Sequence, residues 1–159
     1  MIHEVVDVRG TRIHYVEEGT GPLVLLVHGF PESWYSWRHQ LPVIAAAGFR
    51  AVAMDVRGYG RSSAPIKVEA YGMLHHVGDT VGVAQALAGQ DSQAIVIGHD
   101  WGSPIAAHSA LLRPDVFKAV AMLSVPYNAP GGPRPTEAFA RMGEMAGQLT
   151  GQDEEFYIN

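Results

Sequence analysis

The chain contains no cysteine, which excludes disulfides, thiolate metal sites and a catalytic thiol. It has little charge of either sign, with 17% charged residues and a formal net charge of −5. With no run of lysine or arginine, neither nucleic acid nor an anionic membrane surface is an expected partner. No apolar run approaches the roughly 20 residues of a membrane span. The opening Met1-Ile2-His3-Glu4-Val5-Val6-Asp7 lacks the basic region and apolar core of a secretory leader, so a cytoplasmic location is the expectation. Closely spaced His, Asp and Glu ligand sets are also lacking, and neither a metal nor a cofactor is expected. What is present is 159 residues, 47% of them hydrophobic, enough for one globular domain with a real core.

Apolar periodicity divides the chain into alternating elements. Segments 3–8 and 12–17 alternate in polarity around Arg9-Gly10-Thr11, the pattern of a β-hairpin. Leu23–Val27 is apolar throughout, as a strand buried on both faces of a parallel sheet should be. Segments 51–54, 94–97 and 119–123 share that character. Between them Leu74, Val77, Val81, Ala84 and Leu87 recur at helical spacing, as do Ile105, Ala106, Ser109 and Leu112, with Pro104 tolerated in a first turn. Another helical stretch begins at Trp34 and Trp37, with Pro42 restarting it as a first helical position and Gly48 ending it. The expected architecture is α/β, an opening hairpin followed by a mostly parallel sheet flanked by helices. Residues 1–125 make the core and 126–135 a hinge crowded with Pro126, Pro130, Gly131, Gly132, Pro133 and Pro135. Residues 136–159 read as the beginning of a helical lid.

The chemistry concentrates in Val96-Ile97-Gly98-His99-Asp100-Trp101-Gly102-Ser103, an apolar strand running into a small-x-Asp-x-small turn with a helix behind it. This is the layout of a nucleophile elbow. Gly98 and Gly102 are needed where a side chain would strike the strained backbone of the turn. Asp100 stands where many hydrolases carry serine. A carboxylate is ionised at neutral pH, so it attacks without prior deprotonation. It suits displacement at a saturated carbon better than attack on an amide. Asp100 also fits a plainer reading as a loop residue capping the next helix.

His28-Gly29-Phe30-Pro31 follows the buried Leu23–Val27 strand, at the carboxyl end where α/β enzymes place their sites. The loop can aim a backbone N–H at the elbow, and the N–H of Trp101 supplies a second donor. A Gly-Pro turn with no chemical duty fits the same residues. Arg57-Gly58-Tyr59-Gly60-Arg61-Ser62 lacks the Gly-Lys-Ser/Thr ending of a phosphate loop and opens no helix directly, so it reads as a structural turn near the site.

Taken in order, His28-Gly29-Phe30-Pro31-Glu32-Ser33-Trp34-Tyr35-Ser36-Trp37-Arg38, Asp55 with residues 57–65, and Gly98-His99-Asp100-Trp101-Gly102 resemble an epoxide hydrolase of the α/β-hydrolase superfamily. The resemblance implies the α/β-hydrolase fold, with Asp100 opening an epoxide to an alkyl ester that water then hydrolyses to a vicinal diol. It implies an oxyanion hole from the backbone N–H groups of Phe30 and Trp101, with His28, Gly29, Pro31, Gly98, His99 and Gly102 as structural support. Phe156-Tyr157-Ile158-Asn159 resembles the segment bearing the first lid tyrosine, which makes Tyr157 the candidate donor to the epoxide oxygen. A small apolar epoxide and water are the implied partners.

The family also uses a second lid tyrosine, an acid and a base histidine, all carried beyond the length of this chain, together with the last parallel strands. The expectation is therefore an amino-terminal portion with the carboxyl-terminal strands missing, inactive or limited to a single turnover. None of the eight histidines is expected to be the base. His28 and His99 lie in motif turns, His75 and His76 are adjacent and face different directions, and His3, His14, His39 and His108 read as surface or packing residues. A haloalkane dehalogenase would share the Asp-Trp-Gly-Ser elbow, with the Trp101 indole as halide donor, but Phe30 provides no side-chain amide. A non-catalytic binding protein on the same fold is the remaining alternative.

Overall fold

The computed structural model describes residues 1–89 and 93–126. Strands β1 (Ile2–Val8), β2 (Thr11–Glu18), β3 (Leu23–Val27), β4 (Arg50–Met54), β5 (Ala94–His99) and β6 (Phe117–Leu123) form one sheet in the order β1-β2-β4-β3-β5-β6. The β1–β2 and β2–β4 pairs are antiparallel, and β3–β4, β3–β5 and β5–β6 are parallel. The sheet is thus mostly parallel, led by a hairpin. The hairpin turn is tighter than the three residues expected, with only Arg9 and Gly10 between the strands. Both have positive φ (55° and 82°), the backbone that matches the twist of paired strands in a two-residue hairpin.

Helices α1 (Gln40–Ala46), α2 (Met73–Ala88) and α3 (Gly102–Leu112) cover the sheet. On one face α2 and α3 bring Val77, Val81, Val83, Ala84, Ile105 and Ala106 into a core with Leu25, Val27, Val52, Met54 and Val96. On the other, Trp37 and Leu41 pack with Val16, Val24, Leu26, Ala51 and Ala53. All five residues of β3 are buried, as its unbroken apolar run requires. Each such Val or Leu contributes about 1.5–3 kcal/mol by leaving water.

Several local expectations need correction. Trp34–Trp37 forms a four-residue 3-10 turn rather than the start of an α-helix, capped by the Ser33 hydroxyl accepting from the Tyr35 N–H. α1 starts at Gln40, so Pro42 is its third residue and not its first. It fits because amide groups of the first turn have no intrahelical partner to lose. Gly48, at φ 88°, does follow the end of that helix. Leu74 lies off the buried face of α2 at 74% exposure, and Leu112 is exposed at the end of α3. Asp79 and Thr80 are buried on α2 instead, because Asp79 meets a guanidinium described below. β6 begins two residues earlier than the apolar run suggests. Of the hinge and lid segments, only Pro126 falls among the described residues.

Candidate active site

The carboxyl ends of β3, β4 and β5 converge on one region. β5 runs into Asp100, whose φ of 52° lies in the left-handed region that costs an L residue about 1 kcal/mol or more. The chain then enters α3 at Gly102. Two positions of this turn have no room for a side chain. A Cβ on Gly98 would meet the Gly102 carbonyl and the Ser103 nitrogen, and one on Gly102 would meet the Val27 and His28 carbonyls. The elbow is thus wedged against the end of β3. β6 ties it down: the Leu123 carbonyl accepts from the Asp100 N–H at 3.2 Å, and the Leu123 N–H donates to Ser103 Oγ at 3.1 Å.

Asp100 does not cap α3 with its side chain; the Ser103 N–H donates instead to the Asp100 backbone carbonyl at 3.0 Å. The carboxylate is turned toward the loop after β3. The Phe30 N–H donates to Asp100 Oδ1 at 2.9 Å. Gly29 packs so closely on Asp100 that a Cβ there would overlap the Asp100 side chain. The Trp101 N–H, expected as a second donor, makes no hydrogen bond to the carboxylate in this state; the Trp101 residue is 62% exposed.

The loop carrying Phe30 is held by its neighbours. The Gly29 N–H donates to Glu32 Oε2 at 3.0 Å, and His99 Nδ1 is 3.3 Å from the same oxygen. The Val56 N–H donates to His28 Nε2 at 3.0 Å. That nitrogen is therefore the bare acceptor, so the proton sits on Nδ1, which donates to the Gly29 carbonyl at 2.8 Å. Burial pushes the His28 imidazole below its ordinary pKa, so it stays neutral and serves as a strut. His28 and His99 both hydrogen-bond within the two loops, to the Gly29 carbonyl and the Val56 N–H, and to Glu32.

Behind this loop lies a set of buried contacts whose partners the sequence does not indicate. Asp55, at the end of β4, is fully buried. Its Oδ1 accepts from the Trp34 N–H at 2.8 Å. Its Oδ2 accepts from the Arg61 N–H at 3.0 Å and lies 2.7 Å from His14 Nδ1. Arg57 Nε and Nη2 donate to the two oxygens of Asp79 at 2.6 Å each, while Nη1 donates to the Ala70 carbonyl. The paired Asp79 carboxylate holds the guanidinium above its ordinary pKa. The Arg57–Ser62 segment is thus a structural turn that locks β4 to α2. Residues 55–62 carry no local signal for the partners Trp34, Asp79 and His14, which lie 21, 22 and 41 positions away.

Beside Phe30 and Trp101 opens a cavity of about 370 Å³ lined by His28, Val56, Tyr59, Tyr71, His76 and Ile105 among others. Among the described residues, no Lys, Arg, Asp or Glu lines it. His76 is held below its ordinary pKa by burial first and then by the Arg57 charge, so its imidazole also adds no charge near neutral pH. Tyr157 lies outside the described residues. No described helix is long and apolar enough to cross a membrane.

The chain is similar to known proteins. The alpha/beta hydrolase fold family matches residues 22–153. An epoxide hydrolase of Caballeronia sordidicola is 46% identical over 153 residues, covering 96% of this chain and 44% of that protein. Epoxide hydrolase B of Mycobacterium tuberculosis is 51% identical over 134 residues, 82% of this chain and 37% of the relative. Among solved structures, an epoxide hydrolase from an endophytic Streptomyces is 67% identical with a TM-score of 0.81, over 89% of this chain and 42% of that one. Epoxide hydrolase A from Mycobacterium thermoresistibile gives 44% and 0.81, over 98% and 47%. The chain therefore spans less than half the length of these relatives. With its hairpin-led parallel sheet, its strand–turn–helix elbow and a family match over most of its residues, the chain belongs to the alpha/beta hydrolase fold family.

Proposed function

We propose that the protein is an epoxide hydrolase in which Asp100 is the covalent nucleophile. The observation that carries this reading is the Phe30 N–H on Asp100 Oδ1 at 2.9 Å, because it gives the two carboxylate oxygens different tasks. Oδ2, with no such donor, attacks an epoxide carbon; a C–O bond of the ring breaks and the ring oxygen leaves as an alkoxide that takes a proton. Oδ1 is then the carbonyl oxygen of an alkyl ester, already at the Phe30 N–H. Water adds to the ester carbon, the oxyanion develops on Oδ1, and the donor strengthens as charge grows there. Collapse releases the diol and restores the carboxylate, with one water consumed. Trp101 N–H is proposed as the second donor to that oxyanion. A hinge at 126–135 and a lid from 136 belong to the same proposal, with Tyr157 as the phenol that protonates or hydrogen-bonds the leaving oxygen.

The substrate class follows from the wall chemistry. A cavity lined by aromatic and aliphatic groups without a formal charge favours an uncharged apolar epoxide, since a charged arm would lose hydration without gaining a partner. That the substrate is an epoxide draws support from the relatives named epoxide hydrolases. A dehalogenase draws no support from Phe30, whose side chain has no donor. A purely binding role leaves the strained carboxylate at Asp100 without a purpose.

The test uses the complete natural protein and one equivalent of an aryl epoxide in ¹⁸O water. Single turnover is expected to give unlabelled diol and to leave the label in the Asp100 peptide. Label in the first-turnover diol, or full activity in Asp100→Ala, overturns the proposal.

A further inference from the structure

The opening hairpin reaches the site through a line of three polar groups, His3, His14 and Asp55. His14, on β2, is only 2% exposed. Its Nδ1 lies 2.7 Å from Asp55 Oδ2, and its Nε2 lies 3.2 Å from Nδ1 of His3 on β1. The His3 ring stacks on His14 at 5.3 Å and meets the Trp34 ring edge-on at 5.0 Å. A carboxylate accepts but does not donate, so His14 gives its Nδ1 proton to Asp55, and when its Nε2 is bare that nitrogen can accept from His3 Nδ1. One tautomer of His14 satisfies all of these contacts.

What Asp55 does with its other oxygen matters more. The loop that carries Phe30 is clamped at both ends by two consecutive residues after β4. At its start, His28 Nε2 accepts from the Val56 N–H; at its far end, the Trp34 N–H donates to Asp55 Oδ1. The orientation of the Asp55 carboxylate therefore sets where residues 28–34 lie. His14 and the Arg61 N–H both occupy Oδ2, which leaves Oδ1 for Trp34. Gly60 presses on the same carboxylate, with no room for a Cβ, so the oxygens have one way to sit. Removing the His14 donor leaves a fully buried carboxylate short of a partner, at a cost that reorientation toward other donors would relieve.

We infer that His14 is a positioning residue for the oxyanion donor: by hydrogen-bonding Asp55, it holds the loop that places the Phe30 N–H on Asp100. The inference rests on the epoxide hydrolase reading only for its kinetic consequence; the structural consequence stands without it. His14 touches neither Asp100 nor the cavity. Its influence runs through Asp55 and the Trp34 amide.

Three variants separate the donor from mere bulk. His14→Asn can place an amide N–H near the position of Nδ1. His14→Gln reaches instead toward the position of Nε2, and His14→Leu has no donor. In the complete natural protein, His14→Leu and His14→Gln are expected to lower kcat by roughly 10- to 100-fold, the scale for misplacing a reacting group by a fraction of an ångström to an ångström. KM stays within about 2-fold, and His14→Asn recovers most of kcat. Should His14→Leu not fold, the Gln and Asn pair makes the same comparison. Amide hydrogen exchange is read in parallel: the Trp34 and Phe30 amides are expected to exchange faster in the Gln variant, with the β3 amides as protected as in the parent. Equal kcat in all variants overturns the inference, as does equal loss in Asn and Gln, which would make ring shape the cause. If the parent turns over no epoxide, the functional reading falls. The exchange pattern still decides the positioning role: selective loss at Phe30 and Trp34 upholds it, and unchanged or uniform exchange ends it.

Discussion

Two turns of this protein hold a non-glycine residue in nearly the same left-handed conformation, for opposite reasons. Arg9, at φ 55°, sits in the opening hairpin, and Asp100, at φ 52°, sits in the elbow. At the hairpin the conformation belongs to the turn type itself, and the neighbouring Gly10 faces open space, with no atom within 4 Å of where a Cβ would stand. The Asp7 carboxylate accepts from the Gly10 N–H at 2.9 Å, which supports the turn locally. At the elbow everything is crowded. Gly98, Gly102 and Gly29 each abut atoms that a Cβ would overlap, and the strain at Asp100 aims its carboxylate at a donor 70 residues earlier in the chain. A positive φ alone does not mark a site. A positive φ wedged between close-packed glycines fixes where the side chain points.

The sharpest way to break the comparison is to add one methyl group on each side of it. Gly98→Ala and Gly102→Ala force contact with backbone that has nowhere to go, and each is expected to cost more than about 3 kcal/mol or to prevent folding. Gly10→Ala, at φ 82° but in open space, is expected to cost only about 1 kcal/mol, from the backbone alone. Urea unfolding measures all three, and equal losses would mean that crowding is not what distinguishes the turns.

Gly29→Ala comes next, because its new carbon meets the Asp100 side chain rather than the fold. Activity of the complete protein is expected to fall on the order of 100-fold while stability changes much less. Intact alkylation by an epoxide in this variant would show that Asp100 tolerates displacement.

Strain predicts a smaller effect with the opposite sign. Asp100→Gly removes the left-handed penalty and is expected to stabilise the fold by up to about 1 kcal/mol while abolishing turnover. Arg9→Gly should give a smaller gain or none, since the gain in φ freedom is offset by the entropy that glycine loses on folding. Loss of stability in Asp100→Gly would mean that the Phe30 contact outweighs the strain.

The gentlest test is pH. Burial holds His28 and His76 below the ordinary histidine range, so the unfolded chain takes up their protons first as pH falls. Their neutral forms support the fold fully above about pH 6.5, the unfolded value. That support drains away as pH drops from there toward their folded values. Protonated His28 could no longer accept from the Val56 N–H, so activity is expected to decline along with stability. Unfolding free energies that stay flat between about pH 7.5 and 5.5, the range that spans the ordinary histidine value, would contradict this.

The parts legible in the sequence are those whose cause is local. β3 announces itself as an unbroken apolar run, because a strand covered on both faces has no polar side to show. The elbow is legible through Gly98 and Gly102, where neighbouring backbone forbids side chains. Other features mislead where a neighbour overrides the pattern. Leu74 fits the α2 stripe but lies exposed, whereas Asp79 breaks the stripe yet is buried, because Arg57 meets it with two hydrogen bonds. His14 looks like a packing residue of a hairpin until β2 is laid beside β4 and its ring reaches Asp55.

Short-range pattern is enough to specify the α/β class, the succession of strands and helices along the chain, and the residue that stands at the elbow. Each follows from periodicity or backbone sterics over a few residues, which no distant contact needs to supply. Folding was needed to choose the donor that faces Asp100, the carboxylates that are buried, and the histidine that holds a loop rather than a surface. Those choices depend on hydrogen bonds between residues 21 to 70 positions apart. Such bonds exist only once the sheet has brought β2, β3, β4 and β5 together, where unpaired buried polar groups are too costly to be left alone.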